Sequence, residues 1–504
     1  MHKIKYIINI YFMKDTSNKT KKKFKNYLCN DKMTFEECEL AILKNSVEKS
    51  EQIISSRAAS NDLIQQFIEI VENFIKKKNL ICYGGTAINN LLPNQEQFYD
   101  RAIEVPDYDF YSSNAMEHAK ELAEIYHDAG YTEVEAKAGI HIGTYKVFVN
   151  FIPIADITQL NSNIFKSLLK ESVLKKGIHY APPNYLRMSM YLELSRPEGD
   201  VSRWEKVFTR LTLFNKYYPI ITDKSICNPI NFDKIKNIND NTFEKQYLII
   251  RDSFIDQGVV FFGGYATSLY SKYMSPDEKK ISQKISNFDV VAEDIDKCAD
   301  KVKEALYDEK YKNIKLIRHK NIQDIIPECI EIKIGNRTMA YIYKPIACHS
   351  YNKITINHSE INIATIDTIL AFYLAFLYVN DKKYNKNRLI CMADLFYNLQ
   401  QRNRLEYKSI LKRFTIKCYG KQDTLEEIRA FKAIKYKELS DKRDSKEYQE
   451  IFLKYMPGYR REAEIPGFKK KNVKKKTQKK YVPMRYKLAN LFNLNEINKG
   501  NLEK

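Results

Sequence analysis

Residues 80–86 read Leu-Ile-Cys-Tyr-Gly-Gly-Thr, a short apolar run that stops at two glycines. The run predicts a buried strand, and the sequence from Thr86 to the residue before Pro93 predicts a helix. Glycines at such a junction let the backbone approach a phosphate closely, and the amino end of the following helix attracts negative charge. Taken alone, the glycine pair predicts only a tight turn.

The sequence around this junction predicts an α/β domain. A helical pattern covers 34–78, and the glycines are followed by a half-buried strand at 107–111 and a helix at 117–129. Further strands are predicted at 131–137 and from 145 to 151, finishing near Asp156. Helices that alternate with strands in this way are typical of an α/β fold.

Three aspartates in this region form a candidate metal site. Asp107 and Asp109 are two residues apart on one strand, so both side chains point to the same face of the sheet. Two converging carboxylates repel each other unless a cation lies between them, and oxygen ligands favour Mg²⁺ or Mn²⁺. With Asp156 as a third ligand, the set predicts a two-metal site for nucleotidyl transfer. For each aspartate taken alone, a solvated surface position is the ordinary explanation.

The same order of motifs occurs a second time, which predicts an internal duplication. Gly263-Gly264 follows another short apolar run, and Asn287-Phe288-Asp289-Val290 takes the place of Asp107-Tyr108-Asp109-Phe110. The spacing from Gly335 pairs Cys348 with Asp156. In this alignment the second copy retains one aspartate of three, so we expect catalysis in the first copy only.

The net charge of +20 is concentrated at the two ends of the chain. Residues 1–26 carry +7 and residues 460–487 carry +10. Basic ends bind polyanions in a salt-dependent manner, although solvated tails or a nuclear import signal would have the same composition. The nine cysteines show neither CxxC pairs nor zinc-ligand spacing, which predicts free thiols in a reducing compartment.

Three segments together resemble a known family. Residues 82–89 (Cys-Tyr-Gly-Gly-Thr-Ala-Ile-Asn), 107–110 (Asp-Tyr-Asp-Phe) and 197–206 (Pro-Glu-Gly-Asp-Val-Ser-Arg-Trp-Glu-Lys) are similar to the poxvirus-type and giant-virus (mimivirus-like) poly(A) polymerase catalytic subunit. That family belongs to the polymerase β-like nucleotidyltransferase superfamily and carries an inactive second nucleotidyltransferase-like domain. The resemblance covers residues 34–455. It implies ATP as donor, an RNA 3′ end as acceptor, and messenger RNA tailing in the host cytoplasm, at the virus factory or after packaging in the virion.

The resemblance also implies roles for individual residues. Asp107, Asp109 and Asp156 would be the catalytic metal ligands for two Mg²⁺ or Mn²⁺ ions, and the triphosphate would be held by Gly84, Gly85 and Thr86. Further phosphate contacts are expected from Lys146, Arg203 and Lys206. Trp204 is either a base-stacking residue or a core aromatic, and His141 is taken as structural. Poxvirus-type enzymes work with a separate processivity partner. In this protein that role would belong to a partner protein, to a second copy of the chain or to the basic tail.

We therefore expect two tandem polymerase β-like nucleotidyltransferase units of α/β (α+β) class, the first active and the second degenerate. The predicted divisions are a basic arm (1–33), a helical region (34–79), a catalytic domain (80–225), a degenerate domain with carboxy-terminal helices (226–455) and a basic tail (456–504). No segment is long and apolar enough to predict a membrane helix. Two alternatives remain open: a nucleotidyltransferase with a small or non-RNA acceptor, and a non-catalytic RNA-binding scaffold.

Overall fold

The computed structural model describes residues 28–29, 32–59, 62–99, 108–222, 227, 241–282, 287–322, 325–379, 384–403 and 410–458. Most of the predicted basic arm and basic tail lies outside these ranges, and so does Asp107. The described residues up to Pro457 belong to one compact unit.

The strands and helices are as follows. The strands are β1 (Ile81–Cys82), β2 (Tyr108–Ser112), β3 (Val134–Ala138), β4 (Thr144–Val149), β5 (Ile152–Gln159), β6 (Val173–Lys175), β7 (Ile178–Tyr180), β8 (Val260–Phe261), β9 (Phe288–Val291), β10 (Ile314–His319), β11 (Cys329–Ile334), β12 (Arg337–Tyr343), β13 (His349–Ile356), β14 (Ser359–Ala364), β15 (Cys418–Tyr419) and β16 (Lys454–Tyr455). The helices are α1 (Phe35–Ala59), α2 (Asp62–Lys78), α3 (Gly84–Leu91), α4 (Ala115–Asp128), α5 (Ser162–Glu171), α6 (Pro183–Leu194), α7 (Trp204–Tyr217), α8 (Asn241–Asp256), α9 (Gly264–Leu269), α10 (Pro276–Ser282), α11 (Ile295–Asp308), α12 (Ile366–Phe376), α13 (Lys386–Arg402), α14 (Leu425–Glu438) and α15 (Lys446–Phe452). Within the described ranges, every helix is too short or too polar to cross a membrane.

The first sheet has eight strands in the order β16-β3-β4-β5-β2-β1-β7-β6. Its centre is β2, which runs parallel to β5 and antiparallel to β1. The edge strand β16 comes from the far end of the described chain and pairs with β3. The sheet therefore combines residues of the predicted catalytic domain with residues that follow the second sheet in the sequence.

The second sheet has eight strands in the order β10-β11-β12-β9-β8-β14-β13-β15. Here β9 runs parallel to β12 and antiparallel to β8, as β2 does with β5 and β1. Seven successive strands of the two sheets occupy corresponding places with corresponding directions. The prediction of a mixed α/β fold is confirmed.

A tight hairpin places Asp156 differently from the prediction. The sequence predicts one strand from 145 to 151 that finishes near Asp156, but the chain reverses at Asn150 and Phe151, whose φ angles are 50° and 65°. Two successive residues with positive φ form the type of turn that matches the twist of a hairpin. As a result, β4 and β5 are separate strands, and Asp156 lies in the middle of β5.

Helices α2 and α4 cover one face of the first sheet. The apolar stripe of α2 packs with Phe74 against Phe110 of β2, and Tyr126 of α4 donates its hydroxyl hydrogen to the carbonyl of Phe67, 2.6 Å away. Because side chains alternate along a strand, the neighbours of Phe110 in β2 point to the opposite face. Asp109 and Tyr111 therefore lie on the face that α2 leaves uncovered.

Helices α6 and α12 join the two sheets. Each follows the corresponding strand of its sheet, β7 or β14, and the two helices pack against each other. Tyr185 of α6 contacts Tyr378, just after α12, with ring centroids 5.3 Å apart. Buried residues of both sheets and both helices form one continuous core.

The prediction of free thiols is wrong for six of the nine cysteines. The described residues contain three disulfides, Cys29–Cys38, Cys227–Cys391 and Cys348–Cys418. Cys82, Cys298 and Cys329 are free and buried. Linear spacing could not indicate these bonds, because two of them join cysteines 164 and 70 residues apart that only the fold brings together.

Candidate active site

Asp109 and Asp156 lie side by side on the uncovered face of the first sheet. They are paired residues in the register of the parallel strands β2 and β5, and both are partly buried. Two carboxylates at paired positions repel each other unless a positive charge lies nearby. The two aspartates thus form the acidic centre that the sequence predicts, while Asp107 lies outside the described residues.

Lys146 supplies a positive charge at this centre. It faces Asp156 across the antiparallel strands β4 and β5, and its ammonium group donates a hydrogen bond to the Asp156 carboxylate. The structure therefore brings Lys146 to the aspartates themselves. Its predicted contact with a phosphate remains a prediction.

Gly84 allows the amino end of α3 to approach Asp109. The glycine has φ 70°, and a Cβ atom at this position would lie 2.5 Å from Oδ2 of Asp109. The helix begins at Gly84, two residues earlier than predicted, so both glycines belong to its first turn. Thr86 is 3% exposed within the helix. A metal-bound phosphate at Asp109 would therefore meet the backbone of Gly84 and Gly85, whereas the side chain of Thr86 is buried.

Arg210 of α7 lies over the same helix end, and the sequence analysis missed it. A Cβ atom on Gly85 would lie 2.9 Å from Nη1 of Arg210, whose Nη2 donates to the Tyr99 hydroxyl at 2.6 Å. The guanidinium also lies 4.4 Å from the centroid of the Phe98 ring. Such contacts fix a cation beside the amino end of a helix, where an anion binds favourably.

The two cations that the sequence predicts at the start of α7 have other surroundings. Arg203 is 57% exposed at the side chain and pairs with Glu193 at 3.3 Å, and Lys206 is exposed. Arg210 follows Lys206 by four residues, one helical turn, and this spacing is the signal by which it could have been found. The indole of Trp204 donates to the Glu193 carbonyl at 3.0 Å and packs against the core, as a core aromatic does.

A cavity of about 790 Å³ adjoins the acidic centre on the same face of the sheet. The side chains of Tyr83, Tyr111 and Tyr185 line it, and the first two are stacked with ring centroids 3.8 Å apart. The Tyr83 hydroxyl is 2.9 Å from that of Thr158, and burial, together with the charge of Asp109, raises the pKa of Tyr83. His141 is exposed and also lines this cavity. We name this space the outer cavity.

The second sheet has different side chains at the corresponding positions. Asp289 of β9 pairs with Tyr341 of β12, so Tyr341 corresponds to Asp156. The predicted counterpart, Cys348, lies beyond the end of β12 and is disulfide-bonded. The prediction was wrong because the two glycines from which it counted are not equivalent. Gly143 lies between β3 and β4, whereas Gly335 lies in the turn from β11 to β12, which corresponds to the turn from β4 to β5. Across β11, Glu331 takes the place of Lys146.

The chemistry of this donor set is clear. Asp109 and Asp156 present oxygen ligands to one point, and the amino end of α3 and the cation of Arg210 lie beside them. Carboxylate oxygens suit a divalent cation such as Mg²⁺ or Mn²⁺. Backbone amides and an arginine suit a phosphate chain. The residues present therefore fit a metal-bound triphosphate.

Comparison with known proteins finds similarity to viral proteins named as poly(A) polymerase catalytic subunits. Residues 69–200 match the family model described as poly(A) polymerase catalytic subunit. A protein of African swine fever virus (isolate Pig/Kenya/KEN-50/1950), named as a poly(A) polymerase catalytic subunit, is 34% identical over 181 residues, which are 35% of this chain and 38% of that protein. A protein of Acanthamoeba polyphaga mimivirus with the same name is 28% identical over 229 residues, 43% of this chain and 37% of that protein. This chain thus matches less than two fifths of the length of either relative.

The comparison with solved structures extends the similarity in fold. The crystal structure of the Megavirus polyadenylate synthase superimposes with a TM-score of 0.67 over 88% of each chain, at 18% sequence identity. The family model spans Gly84, Asp109 and Asp156, whereas Arg210 lies beyond its end. The resemblance to the giant-virus-type poly(A) polymerase catalytic subunits that the sequence motifs indicate is therefore confirmed.

Proposed function

We propose that this chain is a template-independent poly(A) polymerase that transfers AMP from ATP to the 3′ end of RNA. The observation that carries the proposal is the pairing of Asp109 with Asp156 beneath the glycine-bearing end of α3. A carboxylate pair binds divalent cations, and the helix end binds the phosphates that such cations accompany. The family model over residues 69–200 supports the same activity.

The proposed chemistry needs three parts of the site. Asp109 and Asp156, with Asp107 from the segment before β2, would hold two Mg²⁺ or Mn²⁺ ions. Bound there, such ions lower the pKa of an attacking hydroxyl and neutralise the charge of leaving pyrophosphate. The amides of α3 and Arg210 would hold the triphosphate so that the RNA 3′-hydroxyl is in line with the α-phosphorus.

The second sheet fits a degenerate copy of the first. Its strand order and directions repeat those of β1–β7, but Asn287 stands before β9 and Tyr341 replaces the third aspartate. One carboxylate does not hold two divalent ions, so we assign this unit a scaffolding role. Catalysis would then belong to the first sheet alone, as the predicted division at residue 225 implies.

The acceptor and the partners belong to the same proposal. The basic segments 1–26 and 460–487 provide positive charge for an RNA chain, and binding through them would weaken as salt is added. A processivity partner or a second copy would act on the same RNA. By family resemblance, we expect this activity in the host cytoplasm at the virus factory, or in the virion.

A primer-extension experiment tests the proposed function. Labelled single-stranded RNA is incubated with each of the four nucleoside triphosphates, in Mg²⁺ or Mn²⁺, with the full-length chain. We expect extension with ATP, its loss in the Asp107→Ala/Asp109→Ala double variant, and its retention in Asp289→Ala. Failure of the wild-type chain to extend any RNA would overturn the polymerase assignment.

A nucleotidyltransferase with a small acceptor would give a different result. Its carboxylates would be equally required, so the double variant does not distinguish the two reactions. Added KCl does: RNA extension should fall steeply, whereas transfer to an uncharged small acceptor should not. Pyrophosphate release that requires a small acceptor and not RNA would retain the chemistry and replace the substrate.

A further inference from the structure

A second, smaller cavity lies at the junction of the two sheets. It has a volume of about 150 Å³ and is enclosed by α6, α12 and the residues around His349. Tyr111, Tyr185 and Ile325 line both this space and the outer cavity, so the two spaces adjoin. We name the smaller space the inner cavity.

His349 is the polar group that needs explanation in the inner cavity. Its side chain is 1% exposed, and neither ring nitrogen has a hydrogen-bond partner among the described residues. Burial, together with the charge of Arg196, lowers the pKa of the imidazole to about 3, so the ring is neutral at physiological pH. A neutral imidazole carries one donor and one acceptor. Leaving such groups unpaired in the interior costs free energy, and a ligand with matching polar atoms would recover it.

The size and walls of the inner cavity suit a planar ring. A cavity of about 150 Å³ accommodates one aromatic ring when its walls are apolar. The ring of Phe372 lies 5.0 Å from the ring of His349, and Tyr111 meets Tyr185 edge to face at 5.8 Å. Aromatic side chains at these distances provide stacking and edge contacts for a heterocycle.

The position of the cavity relates it to the acidic centre. Tyr111 follows Asp109 by two residues on the same face of β2, a distance of about 7 Å along the strand. A nucleotide whose phosphates lie at Asp109 and Gly84 would extend its base past Tyr83 and Tyr111 toward the inner cavity. The phosphates of such a nucleotide would then lie at the carboxylates and the helix end, and its base would lie among the aromatic side chains of the inner cavity.

We propose that the inner cavity binds the adenine ring of an adenine nucleotide and that His349 reads its edge. This rests on the proposed function, since the phosphates are assigned to the acidic centre. Adenine presents an N6 amino donor next to the N7 acceptor, whereas guanine presents the O6 acceptor in place of the donor. We assign to His349 the tautomer whose unprotonated nitrogen faces the ligand, because that nitrogen accepts from adenine N6 and leaves guanine O6 without a donor. The adenine belongs either to the incoming ATP or to the 3′-terminal nucleotide of the RNA.

Equilibrium binding without RNA tests the site independently of polymerisation. ATP, GTP and inorganic tripolyphosphate are titrated by calorimetry into the wild-type chain and into His349→Leu, His349→Gln and Ala371→Phe. His358→Asn, an exposed turn residue with φ 66°, is the control. We expect the wild-type chain to bind ATP at least about tenfold more tightly than GTP. His349→Leu should reduce this ratio to about one, His349→Gln should restore it in part, and tripolyphosphate binding should not change in any variant.

Ala371→Phe provides a second measurement, because its side chain would fill the inner cavity. It should weaken ATP binding at least about tenfold while leaving tripolyphosphate binding intact, and the latter shows that the variant has folded. Three results together would overturn the proposal. The ratio of ATP affinity to GTP affinity would be the same in wild type and His349→Leu, and Ala371→Phe would bind ATP as wild type does. His349→Leu would also distinguish RNA ending in adenosine from RNA ending in uridine as wild type does. His349 would then be a buried histidine without a ligand.

Primer extension distinguishes the two sources of the adenine. If the base of ATP occupies the cavity, His349→Leu raises KM for ATP and leaves KM for RNA unchanged. If the 3′-terminal adenosine occupies it, the variant raises KM for RNA ending in adenosine relative to RNA ending in uridine, with no change in the ATP-to-GTP ratio. Nucleotide binding that depends on His349 in a chain that extends no RNA would retain this inference and reject the polymerase.

Discussion

Asp109 and Asp289 occupy the same place in two sheets of the same strand order, but their surroundings differ. Asp109 lies beside a second carboxylate, Asp156, and the charge of Lys146 is next in the row. Asp289 lies beside the ring of Tyr341, and its oxygen accepts from Asn287 at 3.4 Å. Burial raises the pKa of Asp289 to about 7.

The comparison separates the backbone frame from the chemistry. Both sheets place a glycine so close to the aspartate that a Cβ would contact its carboxylate, at Gly84 and at Gly263. The close approach of a glycine to an aspartate therefore occurs in both sheets, whereas the residues paired with that aspartate differ. The positions of Asp156 and Lys146 in the first sheet are occupied in the second sheet by Tyr341 and Glu331.

The largest expected effect comes from changing one carboxylate in each sheet. Asp109→Asn removes a proposed metal ligand and should lower kcat for RNA extension by on the order of 10³ or more. Asp289→Asn removes the corresponding framework carboxylate of the second sheet and should leave kcat within about twofold. Primer extension at saturating ATP measures both. Equal losses in the two variants would assign a catalytic role to the second sheet.

The glycines come next in expected effect. Gly84→Ala places a Cβ against the Asp109 carboxylate and forces alanine to φ 70°, so we expect kcat to fall by on the order of 10² and stability by about 1–2 kcal/mol. Gly263→Ala meets Asp289 in the same manner, but Gly263 has φ −92° and no catalytic neighbour. It should cost stability of a similar size and leave kcat unchanged. Chemical denaturation and primer extension on the same preparations would show whether loss of activity follows loss of stability.

Much of this contrast could be predicted from the sequence. The glycine pair, Asp109 and Asp156 were identified because local patterns place them on neighbouring strands and turns. Lys146 was assigned to a phosphate, and only the register of β4 with β5 shows that it faces Asp156. The pairing of Cys348 with Asp156 failed for a related reason, since linear spacing does not show that Gly143 and Gly335 lie in different turns of the two sheets.

Residues that depend on packing between distant segments could not be predicted. Arg210 reaches Gly85 because α7 returns across α3, more than a hundred residues later in the chain. The disulfide between Cys227 and Cys391 likewise joins a residue after α7 to helix α13, and the cavity around His349 forms only where α6 and α12 pack together. Periodicity identifies a helix, but it does not state which other helix lies against it.

Arg210 sharpens the comparison at the phosphate end of the site. Arg210→Ala should raise KM for ATP by about 10- to 100-fold with a smaller change in kcat, because a charge-assisted contact to phosphate is lost. Arg203→Ala changes a residue that lies just before the same helix and is paired with Glu193; this matched control should change KM by less than about twofold. Steady-state kinetics over a range of ATP concentrations gives both parameters. A larger increase in KM for Arg203→Ala than for Arg210→Ala would assign the phosphate contact to Arg203, the residue that the sequence predicts.

The smallest expected effect on catalysis belongs to the buried carboxylate of the second sheet, Asp289. Its substitution is expected to change the dependence of stability on pH. The pKa of Asp289 is about 7 in the folded chain and about 3.9 in the unfolded chain. Between about pH 4 and pH 7, the Asp289 carboxyl group is therefore protonated in the folded chain and ionised in the unfolded chain. This residue therefore makes the wild-type chain progressively less stable as pH rises from about 4 through 7. Asp289→Asn removes that dependence, so the variant should match wild type near pH 4 and exceed it by on the order of 4 kcal/mol at pH 8.

Thermal and chemical denaturation at several pH values measures the difference between Asp289→Asn and wild type. Asp308→Asn, an exposed residue at the end of α11, is the control and should show no such trend. A difference that does not change with pH would mean that Asp289 is charged in the folded chain, as a cation ligand would be. A metal-bound carboxylate has its pKa lowered and not raised. The second sheet would then retain a cation-binding site, and the two sheets would differ in degree and not in kind.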